Sequence, residues 1–405
     1  MLTYKYVAKD PKTGVTIKAE MQADNEQAVS AKIVKLGYSP VSIKMDEAGK
    51  GVLTSFRNRV KSKDRVLFSR QLSTLLNAGL PLVQSLRSVG DQTASKPLRV
   101  VISNVISAVE GGSTLSAALA KYPKVFNQVY VSLVQAGEAS GTLDKALERL
   151  AIQQEKDAEI ISKVRGAMIY PLIVVAVMLL VVGFMIVKVL PQVEVLYDGL
   201  EGATLPLLTR VLLVISRAII KFWLFALIGL GFMVFVTSRW ARTFGGKRVI
   251  DKLKMRAWPV GPLFMKMYMA RFARTSTTLV ASGVPLIQVL TITADSVNNV
   301  YVADTLKKAI DKVRGGKSLA DALTNDPNFL PLVPNMIRIG EQSGAIEKML
   351  SKTADYYEKE VDDQIKAIST IIEPVLMVLL GVMAFIIVAA VLLPIYGLAG
   401  KSIIN

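Results

Sequence analysis

The sequence contains neither histidine nor cysteine. The missing cysteine excludes disulfides and thiolate nucleophiles, and the absence of both residues excludes the usual zinc sites. The missing histidine also removes the Ser-His-Asp relay and the commonest proton shuttle. We therefore expect no catalytic residues, no cofactor and no metal site.

Charged residues are scarce as well, since they make up 20% of the 405 residues whereas 52% are hydrophobic. The mean hydropathy of +0.42 is too high for an ordinary soluble protein, so membrane spans are expected. The net charge of +17 is compatible with nucleic-acid binding. We favour a membrane protein, because the basic residues flank apolar segments. Residues 1–9 are polar and lack the apolar run of a signal peptide.

Three apolar segments predict transmembrane helices at 168–190, 217–237 and 374–398. About 20 apolar residues cross the hydrocarbon of a bilayer, and the first and third segments reach this length. The second segment is weaker, because its uncharged run covers only 222–236 and Lys221 precedes it. A buried core helix is the alternative for this segment, since short apolar runs occur in both settings.

Basic residues predict the orientation of these spans. Lys156, Lys163 and Arg165 precede the first span, and seven Lys or Arg residues follow the second between 239 and 256. The short loop 191–216 carries three acidic residues and one basic residue. The positive-inside rule therefore predicts that 1–167 and 238–373 are cytoplasmic. The loop and the tail 399–405 are then external, in a multi-pass protein of the inner membrane.

An internal repeat divides the chain. Residues 68–82 read FSRQLSTLLNAGLPL and residues 272–286 read FARTSTTLVASGVPL, at a constant offset of 204. Further on, GEASGTL at 137–143 recurs as GEQSGAI at 340–346, at an offset of 203. The recurring pairs are Arg70 and Arg274, Gly79 and Gly283, Pro81 and Pro285, Gly137 and Gly340, Glu138 and Glu341, Gly141 and Gly344, and Pro171 and Pro374. One deletion thus separates two copies of one unit, and each copy leads directly into an apolar span.

Each copy, at 64–167 and 238–373, is predicted to be a cytoplasmic bundle of about six helices. Asp64 is expected to cap a helix, and apolar residues such as Phe68 and Leu72 then follow at helical spacing. Gly79 suits the left-handed position that ends a helix, and Pro81 suits the first turn of the next. Gly-x-Pro is therefore predicted to join a helical hairpin in both copies.

The last helix of each copy is expected to continue into the bilayer. Pro171 and Pro374 lie at the membrane entrance, where a proline bends or loosens a helix. A fixed kink and a joint that transmits motion are both compatible with this position.

Residues 1–46 are predicted to form a separate small α+β module, followed by a basic linker at 47–63. Leu2, Tyr4 and Tyr6 alternate as in a strand, 10–14 has the composition of a turn, and Asn25 can cap a helix. A second strand is predicted at 41–45. The expected fold class is thus an all-α membrane protein with two homologous bundles, three transmembrane helices and this module.

These features together resemble the type II secretion F family, which includes the platform proteins of type IV pili (GspF and PilC types). The resemblance covers nearly the whole chain and rests on the duplicated FxRxLxxLLxAGxPL-like and GExSGxL-like segments with their three spans. Copy 2 departs mildly, since Gln71 becomes Thr275 and Leu143 becomes Ile346. This departure indicates that the two domains contact different partners.

The resemblance implies a non-enzymatic platform in the inner membrane. Such platforms bind a cytoplasmic hexameric ATPase and pass its motion to pilins or pseudopilins that leave the bilayer. Other inner-membrane assembly proteins and lipid are further expected partners, and a homo-oligomer is expected. Pilus assembly, type II secretion and DNA uptake share this architecture, so the resemblance leaves the pathway open.

Two interpretations apply to the repeated polar residues. Glu138 and Glu341 lie in Gly-rich breaks, where we expect each to cap the start of the next helix. The alternatives are a partner contact or a shared cation site, although one Glu per copy falls short of the six to eight oxygens of a calcium site. Arg70 and Arg274 are expected to pair with the Glu of their own domain, and the alternative is that they face the ATPase.

A membrane transporter or intramembrane enzyme is the rival class. Such proteins need ionisable residues inside the bilayer, whereas the first and third segments have none near their centres. A phosphate-binding G-x-x-x-x-G-K-[ST] motif does not occur in the sequence. The platform interpretation is therefore preferred.

Overall fold

The computed structural model describes residues 2–9, 16–23, 26–45, 60–192, 195 and 207–402. The predictions for the turn at 10–14, the Asn25 cap and most of the linker and external loop lie outside the described residues. The chain divides into two compact units. Unit 1 comprises Met1–Glu159, Tyr268–Asn298 and Val302–Tyr356, and unit 2 comprises Ile160–Met267, Asn299–Tyr301 and Tyr357–Asn405.

The N-terminal segment forms a three-stranded antiparallel sheet and one helix. The elements are β1 (Leu2–Lys9), β2 (Thr16–Ala23), α1 (Glu26–Lys35) and β3 (Ser39–Met45), with the strand order β2-β1-β3. Alternate residues of a strand point to the same face, so Tyr6 and Ala8 both face α1. They are buried against Val29 and Ile33 of that helix.

The first copy of the repeat folds as six helices. They are α2 (Ser62–Asn77), α3 (Leu82–Gln92), α4 (Lys96–Glu110), α5 (Leu115–Ala120), α6 (Gln128–Ser140) and α7 (Leu143–Phe184). The predicted apolar face of α2 is directed inward, since Phe68 and Leu72 are buried and Leu75 is half-buried. The prediction that Asp64 caps this helix is wrong. The helix already begins at Ser62, and Asp64 lies in its first turn, where it adds favourable negative charge.

Two further helices precede the second copy. A π-helical segment, Met185–Val189, extends α7, and it is followed by α8 (Leu207–Trp240) and α9 (Phe244–Arg256). Helix α8 is longer than the predicted second span at 217–237. The large side chains of Phe225 and Phe232 are more than 60% exposed, whereas Leu213 of the same helix is buried, and the second span stays a prediction.

The second copy also folds as six helices. They are α10 (Gly261–Ala281), α11 (Leu286–Ser296), α12 (Val300–Arg314), α13 (Leu319–Leu323), α14 (Leu332–Ser343) and α15 (Ile346–Ser402). Ring pairs mark equivalent positions of the two cores: Phe68 lies 5.9 Å from Phe126, and Phe272 lies 5.2 Å from Phe329, measured between ring centroids.

The two bundles pack against each other within unit 1. Leu279, Val284, Val289 and Ile292 of the second copy belong to the same buried cluster as the core of the first copy. Burial of apolar surface is the main favourable term in folding. Part of the second copy therefore packs into the core of the first.

Two helices are long and apolar enough to cross a membrane. They comprise Leu143–Gln192, which includes the π-helical segment, and Ile346–Leu392. None of the most apolar part of the first helix is buried, and only 11% of that of the second is buried. In a soluble protein such surfaces would be covered by a core, so their exposure favours a lipid environment.

Candidate functional site

The Gly-x-Pro joints have the same geometry in both copies. Gly79 and Gly283 adopt positive φ values of +82° and +77°, which confirms the prediction of left-handed helix ends. Pro81 and Pro285 lie directly before the first residues of α3 and α11, one position earlier than predicted. The carbonyl oxygen of Pro81 accepts a hydrogen bond from the N–H of Ser85 at 2.9 Å. The proline therefore accepts the first backbone hydrogen bond of the helix.

Glu138 caps a helix, but not the one predicted. Its half-buried carboxylate accepts hydrogen bonds from the backbone N–H groups of Leu115 and Ser116, the latter at 3.0 Å. These groups begin α5, which precedes α6 in the chain, whereas the helix that follows Glu138 starts at Leu143. Thr114 accepts from the N–H of Ala117 at 3.2 Å, so donors at the start of α5 are satisfied by two side chains.

Glu341 makes the equivalent contacts in the second copy. Its carboxylate accepts from the N–H groups of Leu319 at 2.6 Å and Ala320 at 3.1 Å, at the start of α13. Ser318 accepts from the N–H of Asp321 at 3.0 Å. The prediction that these glutamates cap helices is therefore confirmed. The prediction that each caps the helix that follows it in the chain is wrong. The motif joins two helices of one bundle instead.

The glycines of the GExSG segment permit close packing and a sharp turn. A Cβ atom on Gly137 would lie 2.6 Å from the Cβ of Ala146, and one on Gly340 would lie 2.9 Å from the Cα of Ile346. Gly141 and Gly344 adopt φ values of +70° and +67° and end α6 and α14. The long helix of each copy can therefore fold back closely on the helix before it.

Arg70 and Arg274 do not pair with the glutamates of the motif. Arg70 donates from Nε to Glu155 at 2.6 Å and from its terminal nitrogen to the second carboxylate oxygen. Arg274 donates to Asp355 at 2.7 Å. The prediction of a pair with Glu138 or Glu341 is wrong, because those carboxylates bind backbone amides. Both arginines instead tie the first helix of a copy to its last, membrane-leading helix.

The Arg70–Glu155 pair shifts the titration of both groups. The hydrogen bond from Arg70 lowers the pKa of Glu155, and the same bond raises the pKa of Arg70. More than a third of each side chain is exposed, so solvent screens the attraction. The pair contributes about 1 kcal/mol at most.

A buried polar network in the first copy had no signal in the sequence pattern. Ser69 donates to the hydroxyl oxygen of Tyr130 at 3.2 Å, and Arg65 donates to the carbonyl oxygen of Val125 at 3.0 Å. Burial raises the pKa of Tyr130 to about 12, and burial lowers the pKa of Arg65. The matched positions of the second copy hold Met269, Ala273 and Val333, which are buried and apolar.

Polar contacts also join the two copies within unit 1. Gln153 donates from Nε2 to Oγ1 of Thr275 at 2.9 Å, and both side chains are buried. Arg149 donates to the carbonyl oxygen of Ala281. The substitution of Gln71 by Thr275, noted in the sequence, thus falls at the interface between the copies.

The helices that lead toward the apolar segments pack together in unit 2. Ile160, Val164 and Ala167 of α7 contact a buried cluster formed by Leu263 of α10 and three residues of α15, which are Val361, Ile365 and Ile368. Lys163 pairs with Asp362 at 2.6 Å. The two membrane-leading helices are therefore held to each other before their apolar segments begin.

Pro171 and Pro374 lie inside the continuous helices α7 and α15. A proline in a helix interior removes one backbone hydrogen bond, so each is a local weak point. A kink at the membrane entrance stays a prediction. In the described ranges, no group of three or more acidic side chains is arranged to hold a metal ion.

Comparison with known proteins places these features in a family. A family model described as type II secretion system (T2SS), protein F, matches residues 68–191 and again residues 272–394, which together exceed half of the chain. The chain belongs to the type II secretion system protein F family. A second model, for the N-terminal domain of this family's protein F, matches residues 1–44. The two matches to the first model begin 204 and end 203 residues apart, as the repeat does.

Several members of this family are similar over nearly their full length. The type IV pilus assembly protein PilC of Thermus thermophilus is 38% identical over 407 residues, which cover 99% of both chains. PilC of Myxococcus xanthus is 37% identical over 96% of this chain and 93% of its own. Type II secretion system protein F of Pseudomonas aeruginosa is 33% identical over 98% and 99%, respectively. Proteins of both machines thus match the whole chain.

Proposed function

We propose that this protein is the inner-membrane platform of a type IV pilus assembly or type II secretion machine. The carrying observation is the duplicated bundle, in which each copy ends in a helix that continues into an exposed apolar segment. This design anchors two similar domains at one face of a membrane. The relatives that match over their full length are named for these two machines.

The platform has three spans and two cytoplasmic bundles. Helix α8 is the second span, because its 34 residues are long enough to cross a bilayer and large apolar side chains such as Phe225 and Phe232 are exposed. One additional crossing returns the chain to the side from which the first copy entered. Both copies then face the cytoplasm, where the basic residues of the chain are concentrated.

The bundles receive motion from a cytoplasmic hexameric ATPase and pass it to pilins or pseudopilins. Support comes from α7 and α15, which run without a break from bundle to apolar segment. The apolar cluster around Val361 holds these two helices together. A displacement of either bundle would thus reach both spans. The Lys163–Asp362 pair adds little, since partly exposed ion pairs contribute about 0–1 kcal/mol.

Co-purification of the full-length chain with the assembly ATPase of the same cell tests this proposal. We expect the ATPase to be retained with the wild-type chain, and the ATPase retained also identifies the pathway. Val361→Asp places a charge in the fully buried cluster between the membrane-leading helices and should abolish pilus assembly or secretion. Ala367→Asp, at an exposed position of the same helix, is the matched control. The proposal would be contradicted if the wild-type chain retained neither a pilus assembly ATPase nor a type II secretion ATPase.

Reporter fusions test the orientation separately. Fusions at position 200 should report an external location, and fusions at Lys247 should report a cytoplasmic one. The reverse pattern would overturn the orientation and with it the contact between bundles and a cytoplasmic ATPase.

A further inference from the structure

Helix α9, Phe244–Arg256, combines an exposed apolar surface with exposed basic side chains. Phe244, Val249 and Leu253 are 72%, 53% and 64% exposed, and Trp258 just beyond the helix is 82% exposed. Apolar side chains of this size are normally covered in a folded protein. The same outward side carries Lys252 and Arg256, which are also exposed.

The opposite side of α9 is fixed to unit 2. The buried carboxylate of Asp251 accepts a hydrogen bond from the N–H of Val300 at 3.0 Å, and Asn299 donates to the sulfur of Met255 at 3.4 Å. A Cβ atom on Gly246 would lie 2.0 Å from the carbonyl oxygen of Trp240, so the helix folds tightly after α8. These contacts direct the apolar and basic side chains outward.

The exposed side of α9 carries only positive charge. The helix contains five basic residues, which are Lys247, Arg248, Lys252, Lys254 and Arg256. Its single acidic residue, Asp251, is turned inward and buried. Arg248 lies over the ring of Phe244, with its guanidinium carbon 5.1 Å from the ring centroid. An occupant of this surface must therefore offer both apolar groups and negative charge.

We infer that α9 and Trp258 lie in the interface of the membrane that the protein spans and bind anionic lipid headgroups. The inference rests on the proposed function, because it needs α8 to be a span. Helix α9 begins four residues after the last residue of α8, so it emerges at the bilayer surface. Basic residues beside apolar and aromatic ones are the composition of interfacial helices, and the cytoplasmic leaflet is anionic. Trp258 and Trp240 provide the aromatic side chains that favour headgroup depth.

Fluorescence of the full-length chain tests this inference. The variant Trp223→Phe/Trp240→Phe leaves Trp258 as the single tryptophan, and it is reconstituted into vesicles of phosphatidylcholine with or without phosphatidylglycerol. We expect brominated lipid to quench Trp258 strongly and aqueous iodide to quench it weakly. The protection should be greater with phosphatidylglycerol, because the basic side chains then bind negative headgroups.

Charge and apolar variants separate the two contributions. Each basic side chain near an anionic surface strengthens the partitioning of a helix into the membrane interface about fivefold. Lys252→Gln/Arg256→Gln should therefore weaken it by about 25-fold and reduce the effect of phosphatidylglycerol. The matched control, Lys307→Gln/Lys308→Gln, removes two exposed charges from α12 and should change nothing. Leu253→Gln should increase iodide quenching in both kinds of vesicle.

Three outcomes decide the matter. Strong iodide quenching of Trp258 that is equal in every vesicle and variant, from a chain that resists carbonate extraction, overturns the lipid contact alone. Release of the chain by carbonate overturns the membrane placement and therefore the proposed function. Protection of Trp258 in native membranes but not in vesicles assigns the surface to a protein partner and also overturns the inference.

Discussion

Replacing Glu138 by alanine tests how the duplicated motif stabilises the first bundle. The carboxylate accepts hydrogen bonds from the N–H groups of Leu115 and Ser116 and from the hydroxyl of Ser116. A hydrogen bond to a charged group contributes about 1.5–3 kcal/mol, and a carboxylate at a helix N-terminus adds about 0.3–1 kcal/mol. Because Glu138 is only half-buried and water can replace part of the loss, we expect a destabilisation of about 2–3 kcal/mol.

Thermal unfolding of the full-length chain in detergent measures this loss. One kcal/mol shifts the Tm of a unit of 150–250 residues by about 2–4 °C, so Glu138→Ala should lower it by about 4–12 °C. Glu138→Gln keeps an acceptor oxygen but loses the charge, and it should cause about half of that shift. Glu148→Ala, at an exposed position of α7, is the control and should shift the Tm by at most about 2 °C.

Hydrogen exchange provides a local measurement of the same effect. The amides of Leu115 and Ser116 should exchange faster in Glu138→Ala than in the wild-type chain, since they lose their acceptor. An unchanged Tm together with unchanged exchange at these two amides would refute the assigned role of the carboxylate.

Three further changes have expected outcomes. Gly137→Ala should destabilise the chain by about 1–3 kcal/mol, measured by thermal unfolding, because its new Cβ meets Ala146 at 2.6 Å. Gly79→Ala should lower the free energy of unfolding by about 1–2 kcal/mol through its positive φ alone, since nothing lies within 4 Å of the added atom. A loss as large as that of Gly137→Ala, together with a repacked core, would contradict this. The lowered pKa of Glu155 means that its pair with Arg70 stabilises the fold above the ordinary carboxyl pKa near 4.5 and stops doing so as the pH falls through the lowered value. Glu155→Gln should therefore remove up to about 1 kcal/mol at neutral pH and little in strong acid, and a loss independent of pH would exclude the ion pair.

Local chemistry explains which features were predictable from the sequence. Positive φ at Gly79 and a helix start beside Pro81 follow from the conformational limits of these residue types, which hold in any fold. The apolar face of α2 followed from helical spacing. The repeat then carried each of these predictions over to the second copy.

Partner choice was less predictable, because it depends on how helices are arranged in space. Glu138 and Arg70 carry opposite charge and recur together, which favours a pair between them on sequence alone. The fold instead brings Glu138 to backbone amides 22 and 23 residues earlier and brings Arg70 to Glu155. The spacing of residues along the sequence does not indicate which side chains and backbone groups lie close together in the folded chain. The buried hydroxyl of Tyr130 was missed for the same reason, since its position resembles any apolar core position.

The contact between Gln153 and Thr275 has a consequence for how the two halves evolve. Two identical subunits must build both sides of their interface from one sequence, whereas halves joined in tandem can diverge side by side. Gln71, the counterpart of Thr275, lies half-exposed and reaches Gln92 at 3.4 Å. A chain made of two first halves would place that longer amide in a closed, buried contact. At this contact the two halves are therefore no longer equivalent, because only the second supplies the short hydroxyl side chain that the amide of Gln153 binds.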